Sequence, residues 1–161
     1  MDQRLNIRPT TAEDVSLILQ FIRELAEYEK LAHEAQADTA TLQAELFGAR
    51  PMAECVIAEY DGVPVGFALF FHNFSTFVGR RGLYLEDLYV KPEMRGHGIG
   101  KALLVHLAQL ATARGCGRFE WAVLNWNQSA IKFYESLGAQ PMNEWTVYRV
   151  AGSTLEQLAA S

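Results

Sequence analysis

The sequence has few cysteines and no long hydrophobic run, and both shortages exclude classes of protein. Cys55 and Cys116 are the only two cysteines, and each lies far from the other among small or apolar neighbours. This excludes a disulfide framework and the cysteine spacing of a metal site, so we expect two reduced, buried thiols. The most apolar stretch, Val65 to Phe71, is interrupted by Gly66 and is far shorter than the roughly 18 residues of a membrane span.

Positive charge is also scarce. The chain has 14 lysine and arginine residues against 19 aspartate and glutamate residues, a formal net charge of −5. Nucleic-acid binders need clustered basic side chains for the phosphates, so we expect neither nucleic acid nor a membrane as a partner. His33, His97 and His106 have no histidine or cysteine at metal-ligand spacing, which predicts no metal. No signal or transit peptide is recognisable after Met1, so we expect a cytoplasmic protein.

Hydrophobic periodicity and turn signals predict the element order βααβββαβαβα. The expected elements are a strand at Leu5–Arg8, helices from Thr11 to about Lys30 and from Asp38 or Thr39 to Gly48, strands at Cys55–Glu59, Val65–Phe71 and Leu83–Val90, a helix from Gly98 to Gly115, a strand at Arg118–Leu124, a helix at Gln128–Leu137, a strand at Trp145–Val150 and a short C-terminal helix.

These elements predict one α/β (α+β) domain over residues 1–161. Asp61-Gly62 is a strong hairpin signal, and strand-helix-strand crossovers follow later in the chain. Together they indicate a mixed, mostly antiparallel sheet with helices on both faces. The irregular stretch from His72 to Gly82 is a candidate substrate loop.

The segment Arg95-Gly96-His97-Gly98-Ile99-Gly100 lies between a predicted strand and a predicted helix. Three glycines in five residues cost conformational entropy unless the backbone must approach something closely. Successive N–H groups at a helix N-terminus favour an anion such as a pyrophosphate, and Arg95 can add a charge-assisted contact. A tight turn without a ligand is the alternative explanation.

Two familiar phosphate-binding motifs do not fit this segment. A dinucleotide fingerprint needs G-x-G-x-x-G, whereas Lys101 follows Gly100 here. A P-loop needs a glycine where this chain has Arg95, and Ser or Thr where it has Ala102. The glycine spacing therefore favours a third kind of phosphate site.

The segment, together with Glu86–Val90 before it, resembles the acetyl-CoA signature of the GNAT acyltransferase superfamily. The resemblance spans nearly the whole chain and is nearest the diamine and thialysine N-acetyltransferase branch. It is carried by Ile7–Pro9, Glu24–Glu29, Tyr84–Asp87, Trp126–Asn127 and Ala130–Tyr134. It implies a GNAT fold, acetyl-CoA as the acetyl donor, a small primary amine as the acceptor, and a homodimer.

The chemistry requires a residue that takes a proton from an ammonium group of pKa about 10. Glu86 and Asp87 are adjacent acids in an otherwise apolar strand, where alternation would place them on opposite faces. We favour Glu86 as the proton acceptor and as a partner of the substrate ammonium, as the resemblance also implies, and give Asp87 a supporting role. Tyr134 is the candidate acid that protonates the departing sulfur, a role that the resemblance strengthens.

The resemblance also implies which residues contact the cofactor. Main-chain N–H groups near Val90 would polarise the thioester carbonyl. Asn127 has a side-chain amide that can bind both a carbonyl and an N–H. The full set is Leu88, Tyr89, Val90, Arg95, Gly96, His97, Gly98, Ile99, Gly100, Glu120, Trp121, Ala122, Asn127, Gln128, Ser129, Ala130 and Tyr134.

In the related enzymes, positions like those of Tyr28, Glu29, Glu144 and Trp145 help to form the amine pocket. Carboxylates and aromatic rings suit an ammonium group through charge pairing and cation–π attraction. The sequence departs from the polyamine branch before Glu144, and His72–Phe77 is nearer the thialysine type. The amine therefore stays open between a diamine or polyamine and a lysine-like amino acid. A protein or peptide acetyltransferase and a non-catalytic acyl-CoA-binding module are the alternative functions.

Overall fold

Pro9 ends the first strand, and a capped turn then leads into the first helix. In the computed structural model, which describes residues 2–161, the Thr11 N–H donates to the Asp14 carboxylate (2.8 Å), as in a capping box. Arg8 donates to both carboxylate oxygens of Asp14 at 2.9 Å and to Glu59 at 2.7 Å. These hydrogen bonds hold the pKa of Asp14 below its usual value and fasten the first strand to its neighbours.

The chain forms two compact units, Met1–Ala122 and Val123–Ser161. The elements of the first unit are β1 (Leu5–Pro9), α1 (Val15–Tyr28), α2 (Thr39–Phe47), β2 (Glu54–Tyr60), β3 (Val63–Ser75), β4 (Arg80–Val90), α3 (Ile99–Ala113) and β5 (Phe119–Trp121). Those of the second unit are α4 (Gln128–Ser136) and α5 (Gly152–Ala159). In residues 2–161, no helix is long and apolar enough to span a membrane.

The sheet confirms the predicted mixed, mostly antiparallel arrangement. Its strand order is β1-β2-β3-β4-β5; the first three pairings are antiparallel, and β4 pairs with β5 in parallel. The turn between β2 and β3 has Asp61 at φ 51° and Gly62 at φ 80°, both left-handed, as the Asp-Gly signal predicts. The α3–β5 crossover makes the parallel pair possible.

The prediction of an irregular loop over residues 72–82 is wrong, because most of this stretch extends the β3–β4 hairpin. Asn73 pairs with Gly82, and Ser75 pairs with Arg80. Glycine and arginine are poor predictors of a strand, and at Gly82 an added Cβ would displace the side-chain amide of Asn73. Only the short turn between Ser75 and Arg80 lies outside the strands.

The helices cover both faces of this sheet. On one face, Phe21 of α1 is fully buried and stacks on Phe67 with the ring centroids 5.6 Å apart. Phe70 and Leu85 are also buried but do not belong to the core that contains Phe21 and Phe67. The helix α3 contacts β1, β3 and β4. Strand alternation from Phe67 places Phe70 on the opposite face, together with its cross-strand partner Leu85, so α3 covers the side that α1 leaves open.

The second unit confirms the helix after Gln128 but not the predicted strand at Trp145–Val150. Residues 139–151 form neither helix nor strand. The alternating apolar pattern that predicted the strand is present, but a β-strand needs the backbone of a neighbouring strand, and residues 123–161 contain none. Periodicity reports which side chains are apolar and not whether a pairing partner exists.

Candidate active site

The glycine segment forms the N-terminal end of α3. A short 3₁₀ turn over Pro92–Met94 leads to Arg95, which is extended, and Gly98 is the residue before the helix. The first hydrogen bond of α3 runs from the Ala102 N–H to the Gly98 carbonyl (2.9 Å). The N–H groups of residues 99–101 precede that bond and lie at the positive end of the helix dipole.

Gly96 and Gly98 give this loop its shape. Their φ angles of 84° and 75° are left-handed, a conformation that costs other residues about 1–2 kcal/mol. A Cβ built on either glycine would meet no atom within 4 Å. The glycines therefore serve the backbone conformation and not internal packing, and the loop faces open space. The N-terminus of a helix with basic side chains beside it suits a pyrophosphate.

Two side chains of the loop contact earlier parts of the chain. The His97 Nδ1 atom lies 3.1 Å from the Met94 carbonyl oxygen, and its ring meets Tyr60 edge-on with the centroids 5.7 Å apart. The Arg95 guanidinium carbon lies 4.6 Å from the centroid of the Tyr28 ring. His97 thus braces the loop, and Tyr28, an expected substrate residue, lies against Arg95 of the glycine loop.

A β-bulge on β4 determines where the two adjacent acids point. Leu69 pairs with Asp87, but the next residue of β3, Phe70, pairs with Leu85, so Glu86 is the extra residue. A bulge interrupts the regular alternation of a strand. The expectation that Glu86 and Asp87 point to opposite faces is therefore wrong. Such bulges often occur beside active sites, where they redirect a side chain.

The end of α1 brings a third carboxylate to the two on β4. The Lys30 N–H donates to Glu27 and the Leu31 N–H to Ala26, with Lys30 left-handed at φ 61°. This pattern is a Schellman motif, which fixes the orientation of the last helical turn. In this position, the charge of Glu29 acts on Asp87. The charge of Glu86 acts on Glu29.

The three acids, Glu29, Glu86 and Asp87, are here called the carboxylate cluster. Burial, followed by the charges of Glu86 and Glu29, raises the pKa of Asp87 from 3.8 to about 7. Burial and the charge of Glu86 also raise the pKa of Glu29. A site that holds negative charge at this cost is suited to a cation, which would relieve the repulsion.

The sheet opens beside this cluster. β4 pairs with β5 from Leu83↔Phe119 to Leu85↔Trp121, whereas β4 itself continues to Val90. Glu120 lies opposite Tyr84, and the pKa of the Tyr84 hydroxyl is raised by burial and then by the charges of Glu86 and Glu120. The part of β4 from Leu88 to Val90 thus extends beyond its pairing with β5 and leads to the glycine loop.

In the second unit, Asn127 caps α4. Its Oδ1 atom accepts a hydrogen bond from the Ala130 N–H (3.3 Å), and its side chain is buried. This explains why the helix begins at Gln128. Tyr134 lies on α4 beside Phe133, with the ring centroids 5.6 Å apart. Glu144 and Trp145 are exposed in the stretch without regular structure.

Family membership follows from comparison with known proteins. A sequence profile of the acetyltransferase (GNAT) family matches residues 18–139. The chain belongs to the GNAT family of acetyltransferases. This GNAT chain is 40% identical to a thialysine N-epsilon-acetyltransferase of Sus scrofa, with 95% of this chain and 96% of that protein covered. It is 30% identical to an L-ornithine N5-acetyltransferase of Arabidopsis thaliana, with 94% of this chain and 86% of that protein covered.

A solved structure has the same fold. An integron cassette protein from the mobile metagenome of V. cholerae is 28% identical to this GNAT chain, and the two superpose with a TM-score of 0.84 over 99% of each chain. The predicted GNAT-like fold and the predicted enzyme class, an N-acetyltransferase, are both confirmed.

The structure brings some of the predicted site residues of this GNAT protein together. Glu29 and Glu86 act on the same carboxylate, Asp87, and the residues from Leu88 to Gly100 follow directly along the chain. The raised pKa of Asp87 has no local signal in the sequence, because its environment depends on the bulge and on the end of α1. The register shift between Leu69 and Phe70 has no signal in the sequence. The two adjacent acids in an apolar strand, in contrast, are a sequence signal that indicates a site.

In residues 2–161, no group of three or more histidine, cysteine, aspartate or glutamate side chains is arranged to hold a metal ion. The pKa of the Cys55 thiol is raised well above its usual value, first by burial and then by the charge of Asp87. This keeps Cys55 protonated and unreactive.

Proposed function

We propose that the protein transfers an acetyl group from acetyl-CoA to a primary amine of a small diamine, polyamine or lysine-like amino acid. The observation that carries this proposal is the carboxylate cluster, whose acid Asp87 has a pKa of about 7, on the strand that leads to the glycine loop. The cluster suits an ammonium group, and the loop suits a pyrophosphate. The two ligands of an amine acetyltransferase would thus bind beside β4 and at the loop that follows it.

The loop and its neighbours are the residues that would hold the cofactor. Arg95 and the N–H groups from Gly96 to Gly100 would bind the pyrophosphate, and the N–H groups of residues 88–90 would bind the acetyl carbonyl. The pantetheine contacts are proposed for Glu120, Trp121, Ala122, Asn127, Gln128, Ser129 and Ala130. When bound, acetyl-CoA supplies the acetyl group as an activated thioester.

Glu86 is the proposed proton acceptor. The amine reaches the protein as an ammonium ion and must lose a proton before its nitrogen can form the new bond. The Glu86 carboxylate is exposed, so it can take this proton directly or through a water molecule. Asp87 and Glu29 supply the negative field that holds the ammonium beside it.

Tyr134 is the proposed proton donor. As the carbon–sulfur bond breaks, its hydroxyl would donate to the sulfur, so that the thiol leaves neutral. For the amine pocket, Tyr28, Glu144 and Trp145 remain the residues that the family resemblance proposes besides Glu29 and Glu86. The position of Tyr28 against Arg95 points to a second role.

The names of the relatives narrow the choice of the acceptor amine. The proteins that are 40% and 30% identical are named for thialysine and L-ornithine, both amino acids with a terminal amine. A spermidine/spermine N(1)-acetyltransferase-like protein of Homo sapiens is 33% identical over 95% of this chain. We therefore propose a lysine-like amino acid as the preferred acceptor and a polyamine as the weaker one.

We further propose that residues 1–161 act as one acetyltransferase domain that assembles as a homodimer. The profile match over residues 18–139 spans both compact units, which supports one domain. Trp145, Val147 and Tyr148 are 74%, 88% and 92% exposed, and a second copy would cover such apolar surface. Light scattering that finds only monomers would contradict the dimer. The cytoplasmic location remains a prediction from the sequence.

The decisive experiment is an acetylation assay with a panel of amines. Purified protein and acetyl-CoA would be incubated with thialysine, lysine, ornithine, putrescine, spermidine or a lysine peptide, and the release of free thiol recorded. We expect the highest kcat/KM with thialysine. Turnover of the peptide alone would indicate a protein acetyltransferase, and no turnover of any amine would contradict the proposal.

A further inference from the structure

The end of α1 contacts two different sites through two adjacent residues. Glu29 acts on the carboxylate cluster, whereas the ring of Tyr28 lies under the guanidinium of Arg95 at 4.6 Å. Arg95 belongs to the glycine loop and not to the amine site. Tyr28 therefore has a structural partner that its sequence-based role, a wall of the amine pocket, does not explain.

The stacking leaves the hydrogen-bonding edge of Arg95 available. A guanidinium group is planar, and its five N–H donors lie in its plane. The Tyr28 ring lies against the guanidinium carbon and its face offers these donors no acceptor atom, so the contact does not compete with a bidentate contact to an anion. Arg95 is itself exposed, so this edge is accessible to solvent.

Tyr28 is also a firm support. Its ring is partly buried and packs against the hydrophobic core between α1 and the sheet, and the Schellman motif fixes the backbone that follows it. Arg95, in contrast, is next to Gly96, whose left-handed conformation (φ 84°) begins the loop. The Tyr28 ring, held by the core, thus restricts the long side chain of Arg95 on the glycine loop.

We propose that Tyr28 is a positioning residue of the cofactor site: it holds Arg95 by its flat face and presents the N–H edge to the pyrophosphate of coenzyme A. The inference rests on the proposed function, because it requires the glycine loop to bind that pyrophosphate. It divides the end of α1 into a cofactor residue, Tyr28, and an amine residue, Glu29.

Calorimetric titration with coenzyme A tests the proposal without relying on turnover. Tyr28→Leu and Tyr28→Met remove the ring face, and we expect each to raise the Kd for coenzyme A about two- to fivefold, the value of an exposed cation–π contact. Tyr28→Phe keeps the face and should bind like the wild type. Methionine is flexible and fills the space of the ring, so a loss shared by both variants does not come from a cavity.

A double-mutant cycle links the effect to Arg95. In an Arg95→Gln background, Tyr28→Leu should change the Kd no further, because the side chain that it positions is gone. An equal loss in both backgrounds, or a Tyr28→Leu protein that binds like the wild type, would overturn the proposal. Glu29→Gln is the matched control: it should raise the KM for the amine and leave the Kd for coenzyme A unchanged.

Different outcomes contradict the proposed function and the positioning role of Tyr28. If the wild-type protein does not bind coenzyme A, the proposed function is wrong and the role of Tyr28 falls with it. If the wild type binds and the Tyr28 and Arg95 variants behave independently, only the positioning role is wrong. Thermal unfolding of each variant shows whether a change in Kd reflects a folded protein.

Discussion

The negative charge of Glu29, at the end of α1, raises the pKa of Asp87 on β4. Burial is the largest cause of this rise, followed by the charge of Glu86 and then by that of Glu29. The carboxylates at the end of α1 and on β4 thus repel one another. This repulsion destabilises the protein without a ligand and favours the binding of a cation. The pH dependence of folding and of amine binding should both report this contact.

Replacing Asp87 with asparagine should stabilise the protein at alkaline pH. The pKa of Asp87 is about 7 in the folded protein and ordinarily 3.8, so between these values the folded state binds a proton that the unfolded state has lost. The wild type therefore loses stability as the pH rises through this window, by at most about 4 kcal/mol. Urea unfolding at pH 4 and pH 8 would measure this. Parallel pH curves for Asp87→Asn and the wild type would contradict it.

Replacing Glu29 with glutamine should lower the pKa of Asp87 and weaken amine binding. The substitution removes one of the two charges that raise this pKa, which carbon NMR of the aspartate carboxyl group can follow. We expect the KM for the amine to rise about three- to tenfold, because such an ion pair is worth on the order of 1 kcal/mol. Glu27→Gln, at an exposed position of the same helix, should change neither quantity.

Replacing Gly98 with valine should chiefly weaken cofactor binding. Gly98 has a φ of 75°, and a β-branched residue would force the loop N–H groups out of their positions. We expect the Kd for coenzyme A to rise about tenfold or more, on the basis of the 1–2 kcal/mol that this conformation costs. Gly115→Val is the control, since Gly115 has a φ of 70° but lies after α3. If both variants lose affinity equally, the loop has no special role.

Replacing Tyr134 with phenylalanine should lower kcat and leave the Kd for coenzyme A nearly unchanged. Only the hydroxyl is lost, and a proton donor contributes about 100-fold or more to a rate. Stopped assays and calorimetry would separate the two quantities. Tyr148→Phe, which removes the hydroxyl group of the other tyrosine of the same unit and keeps its apolar ring, is the control. A Tyr134→Phe enzyme with normal kcat would show that another group protonates the sulfur.

The sequence predicted most elements because their signals are local. Asp38 caps α2 through a hydrogen bond from the Thr41 N–H (2.7 Å), and Gly115 follows α3 in a left-handed conformation. Caps, turns and apolar faces depend on neighbours in sequence. The strand expected at Trp145–Val150 failed because a strand depends on a partner backbone, which no local pattern encodes.

By itself, the sequence determined the glycine loop, the order of nearly all helices and strands, and the pair of acids before the loop. Only the tertiary structure decided how those acids are used. One extra residue at Glu86 breaks the alternation of β4, and the end of α1 adds the charge of Glu29. The pKa of Asp87 and the stacking of Arg95 on Tyr28 arise from residues distant in sequence, whose proximity only the folded chain establishes.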